Sequence, residues 1–139
     1  MTWINAVMCD AIAEDIGSVA LREVELPEPG PGEVRVRLKA CAVNFPDLLM
    51  IQGKYQYKPP LPFAPGGESS GVITDIGNGV DGFNVGDRVI VSSGWGSFAE
   101  KILVDPGALT KIPEKMDHNT ASAFLMTYGT SHHALKDRA

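Results

Sequence analysis

Glycine and proline punctuate this chain from end to end, and between them lie only short runs rich in Val, Ile and Leu. The 139 residues include 15 glycines and 10 prolines. Such spacing leaves little room for long helices and favours many short strands joined by tight turns, the pattern of a barrel or sandwich. The clearest strand is "EVRVRLKACAV". Val34, Val36, Leu38, Ala40 and Ala42 share one parity, and Arg35, Arg37, Lys39 and Cys41 share the other. A period of two predicts one buried face and one wet face. Further strands are expected over residues 5–8, 20–25, 71–76, 88–91, 98–104 and 109–111.

Helical signals are fewer. "FPDLLMIQG" sets Pro46 at a first helical position with Asp47 behind it and Gly53 as a stop, which predicts one or two turns. Asp47 is expected to cap or support that helix. Asp117 can cap a second helix over "HNTASAFLM", and "YGTSHHALKDR" reads as another after a break at Gly129. The chain reaches Ala139 inside or just after that last helix, the expectation for a fragment of a longer protein.

The length suits one globular core, with 44% hydrophobic and 21% charged residues. A formal net charge of -5 with dispersed charges leaves no footprint for nucleic acid. No continuous apolar run reaches the length of a membrane span and no basic leader precedes one. A soluble, cytoplasmic protein is expected. Two cysteines, Cys9 and Cys41, could form at most one bridge, so neither a disulfide scaffold nor a four-cysteine zinc site is open to the chain. Neither has an activating neighbour in sequence.

Gly77, Gly79 and Gly82 in "DIGNGVDGF" match the G-x-G-x-x-G spacing of a dinucleotide fingerprint. That motif works by opening a helix whose free N–H groups face a pyrophosphate. Only Phe83, Asn84, Val85, Gly86 and Asp87 separate Gly82 from the next strand, too few for the helix. The glycines are assigned to turns instead.

The ordered motifs "LREVELPEPGPGEV", "KACAVNFPDLLMIQGKYQYKPPLPFAPGGESSGVITDIG", "NVGDRVIV", "GSFAEKILVD" and "KMDHNTASAFLMTYGTSHHAL" resemble the GroES-like catalytic half of the medium-chain dehydrogenase/reductase superfamily, and within it the zinc-free quinone oxidoreductases. The resemblance implies a mainly β fold with peripheral helices: a partly open GroES-like β-barrel over residues 1–125. Residues 126–139 would then begin the helix connecting to a Rossmann domain outside this sequence. It further implies NADPH, bound mainly by that domain, a quinone or enone substrate, and a homodimer as the full-length protein. The zinc enzymes of the superfamily place Cys at the end of the strand matching "KACAVN" and His before the Glu of "GGE". Asn44 and Gly67 stand at those positions, and the cysteine cluster of the structural zinc lobe has no counterpart, so no zinc is expected.

Four residues are candidates for the site. Asn44 continues the inward parity of Val34 to Ala42 at the end of the strand; by resemblance it faces the nicotinamide or the substrate carbonyl, whereas by residue type alone it reads as a turn residue before Pro46. Tyr55 matches the tyrosine after "QG" in related enoyl-thioester reductases, where it is a proposed proton donor. An amphipathic tyrosine covering the loop fits the same residues, and Tyr57 reads as packing. By resemblance Thr130 and Thr127 line the nicotinamide pocket; mid-helix threonines also commonly bond a carbonyl one turn back. Adjacent His132 and His133 diverge on a helix and read, with His118, as surface or satisfied histidines. Glu68 reads as structural, a carboxylate in need of an Arg or N–H partner.

The activity implied is hydride transfer from NADPH to quinones or α,β-unsaturated carbonyls, in which conjugation spreads the developing charge without a metal. An enoyl-thioester reductase of the same superfamily and a non-catalytic GroES-like binding module are the alternatives.

Overall fold

A computed structural model describes all 139 residues. Seven strands carry the fold: β1 (Thr2–Cys9), β2 (Val19–Leu26), β3 (Val34–Cys41), β4 (Glu68–Ile76), β5 (Arg88–Ser92), β6 (Lys101–Val104) and β7 (Leu109–Lys111). β1 and β2 pair antiparallel, with Thr2 opposite Leu26 and Cys9 opposite Val19. The other five form an antiparallel sheet in the order β6-β3-β4-β5-β7. The two sheets are stitched at their border. Val7 donates its N–H to the Phe98 carbonyl at 2.7 Å, Glu100 donates to Asn5 at 3.0 Å, and Cys9 and Phe63 exchange a reciprocal pair. The result is a partly open barrel, mainly β, in keeping with the punctuation of the sequence.

The alternation in β3 is realised on its inner face. Val34 and Val36 are fully buried and join Ile73, Val89, Val91, Ile102, Val104 and Leu109 in the main core. Each such side chain contributes about 1.5–3 kcal/mol on burial. The outer face departs from expectation at one point: Arg35 is only 4% exposed. Its guanidinium lies under the segment before β3, bonded to the Pro27 carbonyl at 2.8 Å and paired with Glu28 at 2.9 Å and Asp75 at 3.3 Å. β3 and β4 approach closely at Gly71, where an added Cβ would lie 2.2 Å from the Arg37 carbonyl oxygen. Register shifts beside Arg35 and Leu38 bend the pair, the strengthened twist that bulges impose on barrel strands.

Helix α1 (Phe45–Ile51) follows β3 after a short link, with Pro46 in its first turn. Helix α2 (His118–Ser122) is capped by Asp117, whose Oδ1 accepts the Thr120 N–H at 2.8 Å. The predicted break at Gly129 is absent: its φ of -62° and ψ of -43° are helical. The interruption falls at Ala123, with φ -114° and ψ 13°. Ala121 and Ser122 are buried against the barrel, Met126 still reaches Glu68 through its N–H, and the residues from Thr127 onward are exposed, so the break falls where the packed turn ends and not at the glycine. That tail runs through turns Leu125–Gly129, Thr130–His132 and His133–Asp137, the first and last with π-type bonding.

Candidate functional site

Where β3 ends, the chain turns into α1, and both elements meet the start of β4. Asn44 is the residue before α1, with extended dihedrals (φ -121°, ψ 158°). Its N–H donates to Asp47 Oδ2 at 2.8 Å, the reach-back bond that closes a helix entrance. The other carboxylate oxygen of Asp47 accepts the Gly67 N–H at 3.1 Å. Asp47, 2% exposed, thereby clamps α1 to the head of β4. Burial pushes its carboxyl up from the ordinary range, and the N–H donors of Asn44, Gly67 and Gly66 pull it partly back.

Glu68 is 1% exposed and has found two partners. Oε2 accepts from Asn44 Nδ2 at 3.3 Å, and Oε1 accepts the Met126 backbone N–H at 3.0 Å. One buried carboxylate thus joins the end of β3 to the first turn of the helical tail. The sequence showed that Glu68 needs a partner but not which one, because Met126 lies 58 residues away.

Beside this junction opens a cavity of about 380 Å3 lined by Pro46, Asp47, Tyr55, Gly67, Trp95 and Met126, among others. Tyr55 also packs on the small cluster of Cys9, Met50, Ile51 and Phe63. Tyr57 remains 60% exposed, with its ring 5.5 Å from that of Trp95 and inclined by 37°. The wall opposite α1 is the turn Ser92-Ser93-Gly94-Trp95, held by a Ser93 hydroxyl donating to the Trp95 carbonyl at 2.7 Å. Behind it Ser97 and Ser69 share a buried hydroxyl contact of 2.8 Å. Sequence reasoning missed Trp95 and Met126; the "GWG" turn, with positive φ at Gly94 and Gly96, was the available signal for the first.

The structure brings Asn44 and Tyr55 to this end of the barrel, Tyr55 in the cavity wall and Asn44 beside it through Asp47 and Glu68. It leaves Thr127 and Thr130 exposed on the tail. Their hydroxyls donate to the carbonyls of Ala123 and Met126, one turn back. His118 is satisfied within the fold, its Nδ1 2.8 Å from Ser70 Oγ. His133 pairs with Asp137 on the tail surface at 2.9 Å. Cys9 is buried and Cys41 exposed, both as free thiols. No group of three His, Cys, Asp or Glu side chains is assembled that could hold a metal ion.

A larger groove of about 550 Å3 follows β6 where the barrel is open, lined by Ile4, Ala6, Val24, Phe63, Ile102 and Val104 among others. Its walls are largely aliphatic. The smaller cavity is the candidate site because it brings a phenol, a buried carboxylate and two aromatic faces together, the mixed lining typical of small-molecule pockets.

Comparison with known proteins agrees with this architecture. Residues 30–114 match the alcohol dehydrogenase GroES-like domain family. Quinone oxidoreductase-like protein 2 of Mus musculus is 39% identical over 135 residues, 97% of this chain and 38% of the relative. The crystal structure of human synaptic vesicle membrane protein VAT-1 homolog-like protein superposes with a TM-score of 0.92 at 32% identity, covering 98% of this chain and 44% of that one. A mycobacterial structure complexed with NADPH superposes at 0.86 with 29% identity, covering 96% of this chain and 41% of that one. The chain therefore spans well under half the length of these relatives. It belongs to the alcohol dehydrogenase GroES-like domain family, in the medium-chain dehydrogenase/reductase superfamily.

Proposed function

We propose that this chain is the substrate-side half of an NADPH-dependent oxidoreductase that reduces quinones or α,β-unsaturated carbonyls without zinc. The observation that carries the reading is the cavity at the end of β3, with Tyr55 and Trp95 in its walls and the Asn44–Glu68 pair beside it. The relationship to quinone oxidoreductase-like proteins supports the reaction class, and the NADPH-bound relative supports the nucleotide. Asn44 and Gly67 at the positions of the zinc enzymes' Cys and His support metal-free chemistry, since an amide and a glycine offer neither thiolate nor imidazole.

The size of this cavity suits the nicotinamide end of the cofactor, and the glycine-rich turn before β5 offers no site for its pyrophosphate. About 380 Å3 suffices for one ring and a small acceptor. Gly79 and Gly82, with φ of +80° and +83°, lie in the turn before β5, and no helix follows them to receive phosphate. Residues 126–139 then lead toward a nucleotide-binding domain that holds the rest of the cofactor, with Thr127 and Thr130 reorienting toward it. Bound NADPH supplies the hydride.

The residues of this chain do the remainder. Trp95 and Tyr57 offer flat apolar faces against a conjugated ring and exclude water from it. Asn44 orients the reacting groups through its amide. Tyr55 donates its phenolic proton to the carbon beside the carbonyl. Holding acceptor and proton donor in one cavity lowers the barrier by orientation alone.

The test is NADPH oxidation by the full-length protein with a panel of quinones and enones. Activity that falls about 10²-fold in Tyr55→Phe for enones is expected, with Asn44→Ala also impaired. Rates unchanged in both variants would remove these residues from the site. Turnover of a crotonyl thioester without turnover of quinones would move the assignment to enoyl-thioester reduction.

A further inference from the structure

We infer that Glu68 is the positioning residue that fixes which edge of the Asn44 amide meets the nucleotide, so that the site presents a hydrogen-bond acceptor to a donor on the dihydronicotinamide riboside. The inference rests on the function proposed above and goes beyond it by assigning a polarity to the contact. A carboxylate only accepts, so the atom of Asn44 that faces Glu68 Oε2 at 3.3 Å is its Nδ2. The opposite oxygen of Glu68 is occupied by the Met126 N–H at 3.0 Å, and the side chain is 1% exposed. Glu68 has no freedom to turn, and it holds the amide in one orientation. Asn44 Oδ1 lies at the capping box of α1, where the Asp47 N–H donates chiefly to the Asn44 backbone carbonyl at 3.0 Å; with two lone pairs it keeps acceptor capacity for a ligand on a half-buried residue. The donors available on the nucleotide's reactive end are the carboxamide N–H and the ribose hydroxyls.

Substituting Glu68→Gln separates positioning from shape. The Met126 N–H still requires an acceptor, so Gln turns its Oε1 there and aims its Nε2 at Asn44. The Asn44 amide must then rotate by half a turn and offer N–H to the ligand in place of C=O. Adding Asn44→Asp to Glu68→Gln restores an acceptor on both sides of position 44 and keeps the total charge.

The experiment measures NADPH affinity of the full-length protein by fluorescence titration, for the parent, E68Q and the N44D/E68Q pair, with thermal melting as a control for folding. About tenfold weaker binding is expected for E68Q, with recovery to within about threefold in the pair, a non-additivity that marks direct coupling. The 3-acetylpyridine analogue, whose ring substituent cannot donate, identifies the source. If E68Q weakens NADPH but not the analogue, the donor is the carboxamide; if it weakens both equally, the donor is a ribose hydroxyl. Undiminished NADPH binding in a folded E68Q, or no recovery in the pair, overturns the inference. Absence of NADPH binding in every form defeats the proposed function, and the inference is then decided by NMR. A nuclear Overhauser contact from the Asn44 side-chain amide protons to position 68 that is present in the parent and lost in E68Q upholds the fixed orientation; an unchanged or absent contact overturns it.

Discussion

Arg35 shows how a single residue can follow its sequence pattern and still land in an unexpected environment. Its parity in β3 places it away from the core, as read from the alternation. What the alternation cannot see is that Pro27, Glu28 and Asp75 fold over that face and remove the guanidinium from water. Two of its three partners are themselves largely open, with Glu28 61% and Asp75 45% exposed, so the ion pairs are screened and the packing of the stem carries much of the effect. Arg35→Ala is expected to lower stability by about 2 kcal/mol, read from the urea midpoint. A change below about 0.5 kcal/mol would show that the covering segment is not anchored there. Asn44 and Tyr55 were legible as residues worth naming, one from its place in the strand and both by resemblance. The partners that give them a chemical setting, Glu68, Met126 and Trp95, come from distant parts of the chain and no local pattern joins them.

At the scale of elements, short β-branched runs between turn residues located the strands, and period-two alternation is clearest in β3, whose inner face lies on the main core. The run expected over 98–104 is a case in point: residues 98–100 bond to β1 while Lys101–Val104 pairs with β3, so one stretch of sequence serves both sheets. The tail was harder to read, since Gly129 is a helix breaker by propensity only and is tolerated where φ stays negative. α2 is anchored by His118 as well as by Asp117. The Ser70 hydroxyl donates to the Val89 carbonyl at 2.9 Å, which leaves the imidazole Nδ1–H to donate to Ser70. Desolvation first, then the charges of Arg88 and Lys39, lower the His118 pKa from its ordinary 6.5, with Asp117 opposing. Because the folded value lies below the unfolded one, the unfolded state binds the proton more readily. Stability therefore declines as pH falls from about 7 through 6.5 toward the folded pKa, and levels off below it. Denaturant midpoints between pH 7.5 and 5 should show this decline in the parent and a shallower one in His118→Gln. Equal slopes would remove His118 from the account.

For the whole molecule, the barrel end built from β3, α1, β4 and the Ser92–Trp95 turn gathers the polar groups, while the open flank along β6 is aliphatic. The architecture was legible because turn chemistry and strand parity agree along the chain. The cavity was not, because its walls are α1 and loops from distant parts of the chain, joined through the buried carboxylates of Asp47 and Glu68. The central claim is that a hydride acceptor binds between Tyr55 and Trp95. A crystal structure of the full-length protein with NADPH and a quinone tests it most directly. The account predicts the quinone ring inside that cavity, within contact of Tyr55 and Trp95 and with the nicotinamide beside Asn44; a quinone bound elsewhere, or a cavity filled by the protein's own chain, would contradict it.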